Sequence, residues 1–132
     1  MDRKLLFIRL SLVAVSVGIL AGSSVPGHKI PAAFSLTPDK LIHCVEYFVL
    51  GIVLYRWLKE EFEIKTTFLL ILTVIIGSVW GILDENYQRL IPGRNSDFWD
   101  WVLDTIGVSI AAVSSYYFGS GISSHKKRLS HN

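Results

Sequence analysis

The sequence predicts an all-α fold: a polytopic membrane protein built as a four-transmembrane-helix bundle with both termini cytoplasmic. Three observations predict it. Of the 132 residues, 51% are hydrophobic and only 18% are charged, and the mean hydropathy is +0.44, too apolar for an ordinary soluble domain of this size. Four apolar runs, at residues 4–22, 40–58, 66–83 and 101–118, are each long enough to cross about 30 Å of hydrocarbon as a helix. The basic residues then set the orientation, because cytoplasmic loops retain Lys and Arg. With the N-terminus inside, that side holds Arg3, Lys4, Arg9, Arg56, Lys59, Lys65, Lys126, Lys127 and Arg128, against Lys29, Lys40, Arg89 and Arg94 outside.

The first run follows a basic start, "MDRK", and ends near "AGS", a faintly cleavable pattern that leaves a secretory signal peptide as the alternative reading. Arg9 within the run and its full spanning length favour a retained helix, with the guanidinium snorkelling to the near surface. The second run opens "TPDKLIHCVEYFVLG", where Thr37 or Asp39 can cap the helix. Along it Asp39, His43, Tyr47 and Leu50 recur on one helical stripe, and Glu46 adds an i, i+3 neighbour to His43. The third run carries Gly77 and Gly81 as a G-x-x-x-G that allows close helix approach, then closes on Asp84, Glu85, Gln88 and Arg89. "IPGR" reads as a type II turn with Pro92 second and Gly93 third. Asn95, Ser96 or Asp97 caps the fourth helix, on which Asp97, Asp100 and Asp104 share a face. One membrane domain, 1–118, is therefore expected, followed by a polar basic cytoplasmic tail, 119–132, expected to be disordered. There is no internal repeat and no second domain.

Composition also excludes function classes. A lone Cys44 offers neither a disulfide nor a Cys-based metal site. The net charge of +2 comes from scattered basic residues without interleaved aromatics, which argues against nucleic acid. No G-x-S-x-G, H-E-x-x-H or P-loop is present, and "HCVE" has a single His, so no named catalytic mechanism is supported.

The polar residues inside the runs hold the functional interest. With this orientation the first and third loops lie together on the outer face, and His43 and Tyr47 sit one to two turns below it. Such groups either bond to a neighbouring helix or form a site, since intramembrane ionisable residues are functional candidates by default. Asp97 and Asp100 are partly explained by the helix dipole, which favours acids in the first turn by about 0.3–1 kcal/mol. Asp104 lies too deep for that and costs about 2.5–3.5 kcal/mol on insertion scales. It needs a partner among Arg89, Arg94, His43 or a bound cation. Trp80, Trp99 and Trp101 suit an interfacial belt.

These motifs together resemble the VanZ-like family of small bacterial membrane proteins. "DKLIHCVEYFVLG" supplies Asp39, Lys40, His43 and Tyr47; "GILDENYQRLIPGRNSDFWDWVLDTIG" supplies Glu85 and Gln88, the Pro92-Gly93-Arg94 turn, and Asp100, Asp104 and Gly107. The resemblance covers about residues 38–107, and Asp104 departs from it where many members are expected to carry Asn. It implies a multi-pass protein of the bacterial cytoplasmic (inner) membrane, in a family named for a protein linked to teicoplanin resistance. The candidate polar site is thus Asp39, Lys40, His43, Tyr47, Glu85, Gln88, Arg94, Asp100 and Asp104.

Two principal readings follow for that site. In the first it binds an anionic lipid headgroup, a cell-wall intermediate or a divalent cation, with Arg89 and Arg94 gripping phosphate or carboxylate and a hard ion such as Ca²⁺ or Mg²⁺ favoured over zinc. In the second it is an intramembrane enzyme on a lipid-linked substrate, with His43 as general acid or base, Glu85 or Asp100 orienting, and Arg94 stabilising negative charge. A transporter would require oligomerisation, and a purely structural role is the remaining alternative. Cofactor, metal and catalytic residues stay open, and the lipid bilayer is the one partner that composition names.

Overall fold

A computed structural model describes residues 2–29 and 37–129, with side chains described over 2–29 and 40–119. Four helices follow in order: α1 (Arg3–Ser23), α2 (Thr37–Glu61), α3 (Thr66–Gln88) and α4 (Phe98–Leu129), with a short 3₁₀ turn at Gly27–Lys29. Among the described residues there is no strand. Each helix contains a stretch long and apolar enough to cross a membrane: Arg3–Ser23, Lys40–Glu61, Thr66–Gln88 and Phe98–Gly119. The chain is a four-helix, multi-pass membrane protein.

The helices outrun the apolar stretches that announce them. The third run loses its hydropathy at Leu83, yet α3 continues to Gln88 because its last polar residues, Asp84, Glu85 and Gln88, are buried against the bundle. Asp97 caps α4: its carboxylate accepts the Trp99 N–H at 2.9 Å and its carbonyl the Asp100 N–H. The helical backbone of α4 extends into the segment read above as the polar tail. At the other end of the chain, the Asp2 carboxylate accepts the Lys4 N–H and caps α1.

Close backbone contact organises the bundle. The most extensive interface joins α2 to α4, with α3 against α4 and α1 resting chiefly on α2. Small residues lie where helices meet: a Cβ at Gly51 would meet Ala111 and Val108, and one at Gly77 the Val108 methyls. Without a hydrophobic difference between lipid and core, such packing is what holds membrane helices together. One apolar cluster joins Leu54, Tyr55, Leu58, Leu69 and Ala112. A second, nearer the polar end, joins Ile19, Tyr47, Leu50 and Val108.

The first helix buries little besides Ile8, Ile19 and Ser23, and turns Phe7, Leu10, Val13 and Val17 outward. Arg9 makes a bidentate pair with Glu61 at the end of α2, Nη2 to Oε1 at 2.6 Å and Nε to Oε2 at 3.0 Å, and Lys4 reaches Glu60 at 2.7 Å. The snorkelling expected of Arg9 thus has a specific target. At the opposite end, the Gly27 N–H donates to the Pro92 carbonyl at 3.1 Å, so the first and third loops do meet. Gly93 has φ +74° and the Arg94 N–H returns to Ile91, the type II turn expected of "IPGR".

Candidate functional site

Three helix faces converge beneath those loops. On α2, His43, Tyr47 and Leu50 are buried while Leu41, Ile42, Val45 and Val49 are exposed, so the predicted stripe is the inward one from His43 onward. On α3, Gly77, Gly81, Asp84, Glu85 and Gln88 form the buried face. On α4, Asp100, Asp104, Val108 and Ala111 do. This gathers four carboxylates almost wholly out of solvent: Asp84 at 1% exposure, Glu85 at 5%, Asp100 at 7% and Asp104 at 0%, beside His43 at 5%. Buried charges in such a setting are costly unless paired.

The innermost pair is His43 and Asp104, joined Nδ1 to Oδ1 at 3.0 Å. With Asp104 as carboxylate, Nδ1–H is the donor. Of the four partners anticipated for Asp104, the structure supplies the imidazole. Glu85 completes a triad with them: one ligand-capable atom from each residue lies within 4.8 Å of the others. Its Oε2 accepts the Asp97 N–H at 3.0 Å, which fixes the carboxylate, while Oε1 has no partner. Asp104 Oδ2 is likewise buried and unpartnered, lying against Gly81, where a Cβ would stand 3.1 Å from it. The absence of a side chain at Gly81 is what makes room for the aspartate.

Around this triad the other polar groups form separate sets. Lys40 bridges Asp97 at 3.0 Å and Asp100 at 3.4 Å, tying α2 to the start of α4. Gln88 donates to Ser23 Oγ and to Asp84 Oδ2, both at 3.3 Å, and so links α3 to α1. Asp84 Oδ1 has no partner, nor has the hydroxyl of the fully buried Tyr47, which feels the charges of Asp84, Asp104, Glu85 and Glu46. Arg94 turns away from the triad: one Nη2–H donates to the Gly22 carbonyl at 3.1 Å, and its charge acts on Glu46.

Of the predicted residues, His43, Glu85 and Asp104 therefore come together, Lys40 and Asp100 pair beside them, Tyr47 and Gln88 wall the cluster, and Arg94 serves the end of α1. Asp39 lies in the first turn of α2, but its side chain is outside the described residues, as is the choice between Thr37 and Asp39 as cap. Sequence reasoning missed Ser23, which nothing in "AGSSVPG" marks. It also left Asp84 and Asp97 out of the site, although the i, i+4 spacing of Asp84 and Gln88 was a readable signal. The tryptophans divide: Trp99 is exposed as a belt residue is, whereas Trp101 donates its indole N–H to Ser78 at the α3–α4 interface and Trp80 is half-buried.

The Asp97 carboxyl is held below its ordinary range, first by the Trp99 N–H and then by the Lys40 ammonium. A depressed value in the folded state contributes stability above the unfolded-state pKa of about 3.9, lost as pH falls through the folded one. Asp97→Asn is therefore expected to lower the melting temperature at pH 7 and to flatten the acid limb of the profile below about pH 4, where the two proteins converge. An acid limb identical in the two proteins would refute the assignment.

A groove of about 240 Å³ opens between α3 and α4 beside the triad, lined by the polar Glu85, Asn86, Arg89, Ser96 and Asp97 and by the apolar Ile82, Phe98 and Trp101. The arrangement offers an acid–base pair, a His–Glu–Asp triad able to hold a cation, and an amphiphilic groove reaching Glu85. No curated protein and no solved structure is matched by the chain. A family model described as VanZ/LLP1 matches residues 7–119, a span that includes part or all of each of the four helices and every member of the triad. The chain belongs to the VanZ/LLP1 family.

Proposed function

We propose that this protein is a binding module of the cell envelope, taking the polar head of a phosphate-bearing amphiphile in the groove between α3 and α4 on the outer side of the membrane. The observation that carries the reading is the groove itself. Apolar Ile82 and Phe98 line it together with Arg89, Asp97 and Glu85, around a volume of headgroup size. Arg89 is exposed and makes no ion pair among the described residues, so its guanidinium is available to a phosphate. Asp97 and Glu85 accept hydroxyl or ammonium donors of the same headgroup. The Lys and Arg distribution supports the outer placement, because the polar end carries few basic residues and the opposite end many.

Arg89→Ala tests this. Native mass spectrometry of the protein released from nanodiscs is expected to show at least about tenfold less retained phosphatidylglycerol or lipid-linked cell-wall intermediate, as loss of a charge-assisted bond of about 1.5–3 kcal/mol requires. The family resemblance further implies that expression shifts teicoplanin susceptibility, and Arg89→Ala should remove the shift. Undiminished lipid retention in that variant rejects the headgroup site.

A second reading, acid–base catalysis on a lipid-linked substrate, is favoured by one observation: the His43–Asp104 hydrogen bond has the geometry that orients an imidazole for proton transfer. It requires a lipid product that disappears in His43→Gln while the protein still accumulates. An unchanged envelope lipid profile excludes it.

A further inference from the structure

We infer that His43, Glu85 and Asp104 form a site for one divalent metal ion of the manganese–zinc class. The inference shares Glu85 with the headgroup reading but does not rest on it, and it concerns the interior of the bundle. One ligand-capable atom from each of the three residues lies within 4.8 Å of the others. Ligands held about 2.0–2.2 Å from an ion stand at most about 4.4 Å apart across it, so a contraction of a few tenths of an ångström closes the set.

Proximity alone would describe any acidic cluster. The second observation is that both carboxylates keep a buried oxygen without a hydrogen-bond partner, Glu85 Oε1 and Asp104 Oδ2, on residues at 5% and 0% exposure. Neither is a loose side chain. Glu85 is held through its other oxygen by the Asp97 N–H, and Asp104 is held by His43 on one side and seated against Gly81 on the other. The ligands are thus preset, as a metal site's supporting contacts require.

Charge arithmetic points the same way. Two carboxylates and a neutral imidazole carry a charge of −2, which a divalent ion cancels within a low-dielectric bundle where an uncancelled charge is costly. Lys40 is engaged with Asp97 and Asp100, and Arg94 with Gly22, so neither cation is committed to the triad. The donor set chooses the ion. One imidazole with two carboxylates suits Mn²⁺ or Zn²⁺, whereas Ca²⁺ takes six to eight oxygens. The hard ion favoured on carboxylates alone gives way once the imidazole joins the set.

The experiment is a Mn²⁺ titration of the full chain in detergent micelles, stripped first with chelator and followed by electron paramagnetic resonance. One saturable Mn²⁺ per chain is expected. Asp104→Asn and Glu85→Gln, which keep shape and remove charge, should each weaken binding at least tenfold, while Glu60→Gln at the far end leaves it unchanged. No saturable binding by the wild type, or equal binding by the triad variants, overturns the inference. Should those variants fail to fold, the wild-type melting temperature decides: a rise on adding Mn²⁺ supports the site, and an unchanged one overturns it.

Discussion

Gly107→Ala is expected to destabilise the bundle by about 3 kcal/mol, the upper end of overpacking penalties, and Gly107→Leu to prevent folded protein from accumulating. A Cβ at this position falls onto the backbone carbonyl oxygen of Cys44 and stands 3.1 Å from the Phe48 amide nitrogen. Both obstacles are backbone of α2 inside its helix, so no rotamer change relieves the clash and the two helices must separate. Separation at this point also parts His43 from Asp104, which lie on the same two helices. The control is Gly18→Ala on α1, where nothing stands within 4 Å of the added methyl; there helix propensity alone acts and favours alanine by about 0.8–1 kcal/mol. Melting followed by tryptophan fluorescence in detergent compares the three. If Gly107→Ala melts with the wild type, the close α2–α4 approach is not what holds the bundle.

His43→Leu carries the second large effect. It removes the hydrogen-bond donor that engages Asp104, and leaves that carboxylate fully buried beside Glu85. Breaking a buried pair from one side costs about 3–5 kcal/mol, whereas replacing both partners with apolar groups is often neutral or stabilising. The double variant His43→Leu/Asp104→Leu should therefore recover most of the loss. Measured in chelator, the cycle reports the pair alone. A double variant as unstable as the sum of the two singles would mean that His43 and Asp104 do not act as a pair.

The sequence displayed these features unequally, and for physical reasons. Spanning helices are a matter of length and apolarity along one chain, so all four were visible. Their ends were not, because hydropathy falls at the first charged residue while backbone bonding continues wherever that residue is buried, as at Asp84 through Gln88. The inward stripe of α2 was readable from spacing. Which of four groups would meet Asp104 was not, since that depends on the approach of α2 to α4 at Gly107, a contact between distant segments. Arg94 shows the same limit: its charge suggested the polar cluster, and its guanidinium instead satisfies the Gly22 carbonyl at the end of α1.

The sparse packing of α1 has a mechanical consequence. The helix buries no residue fully along its middle, where Leu12 and Val15 only lean on the apolar clusters, but is fastened at both rims, by Lys4 and Arg9 to the end of α2, and by Ser23, Ser24 and Gly22 to Gln88, Tyr87 and Arg94. Its 21 residues rise about 31 Å, close to the thickness of the hydrocarbon layer. It is a strut of fixed length pinned at each end. A thinner or thicker bilayer must then be met by tilting the whole bundle rather than by sliding α1, and any load on the strut is delivered to Gln88 and Asp84, beside the buried carboxylates.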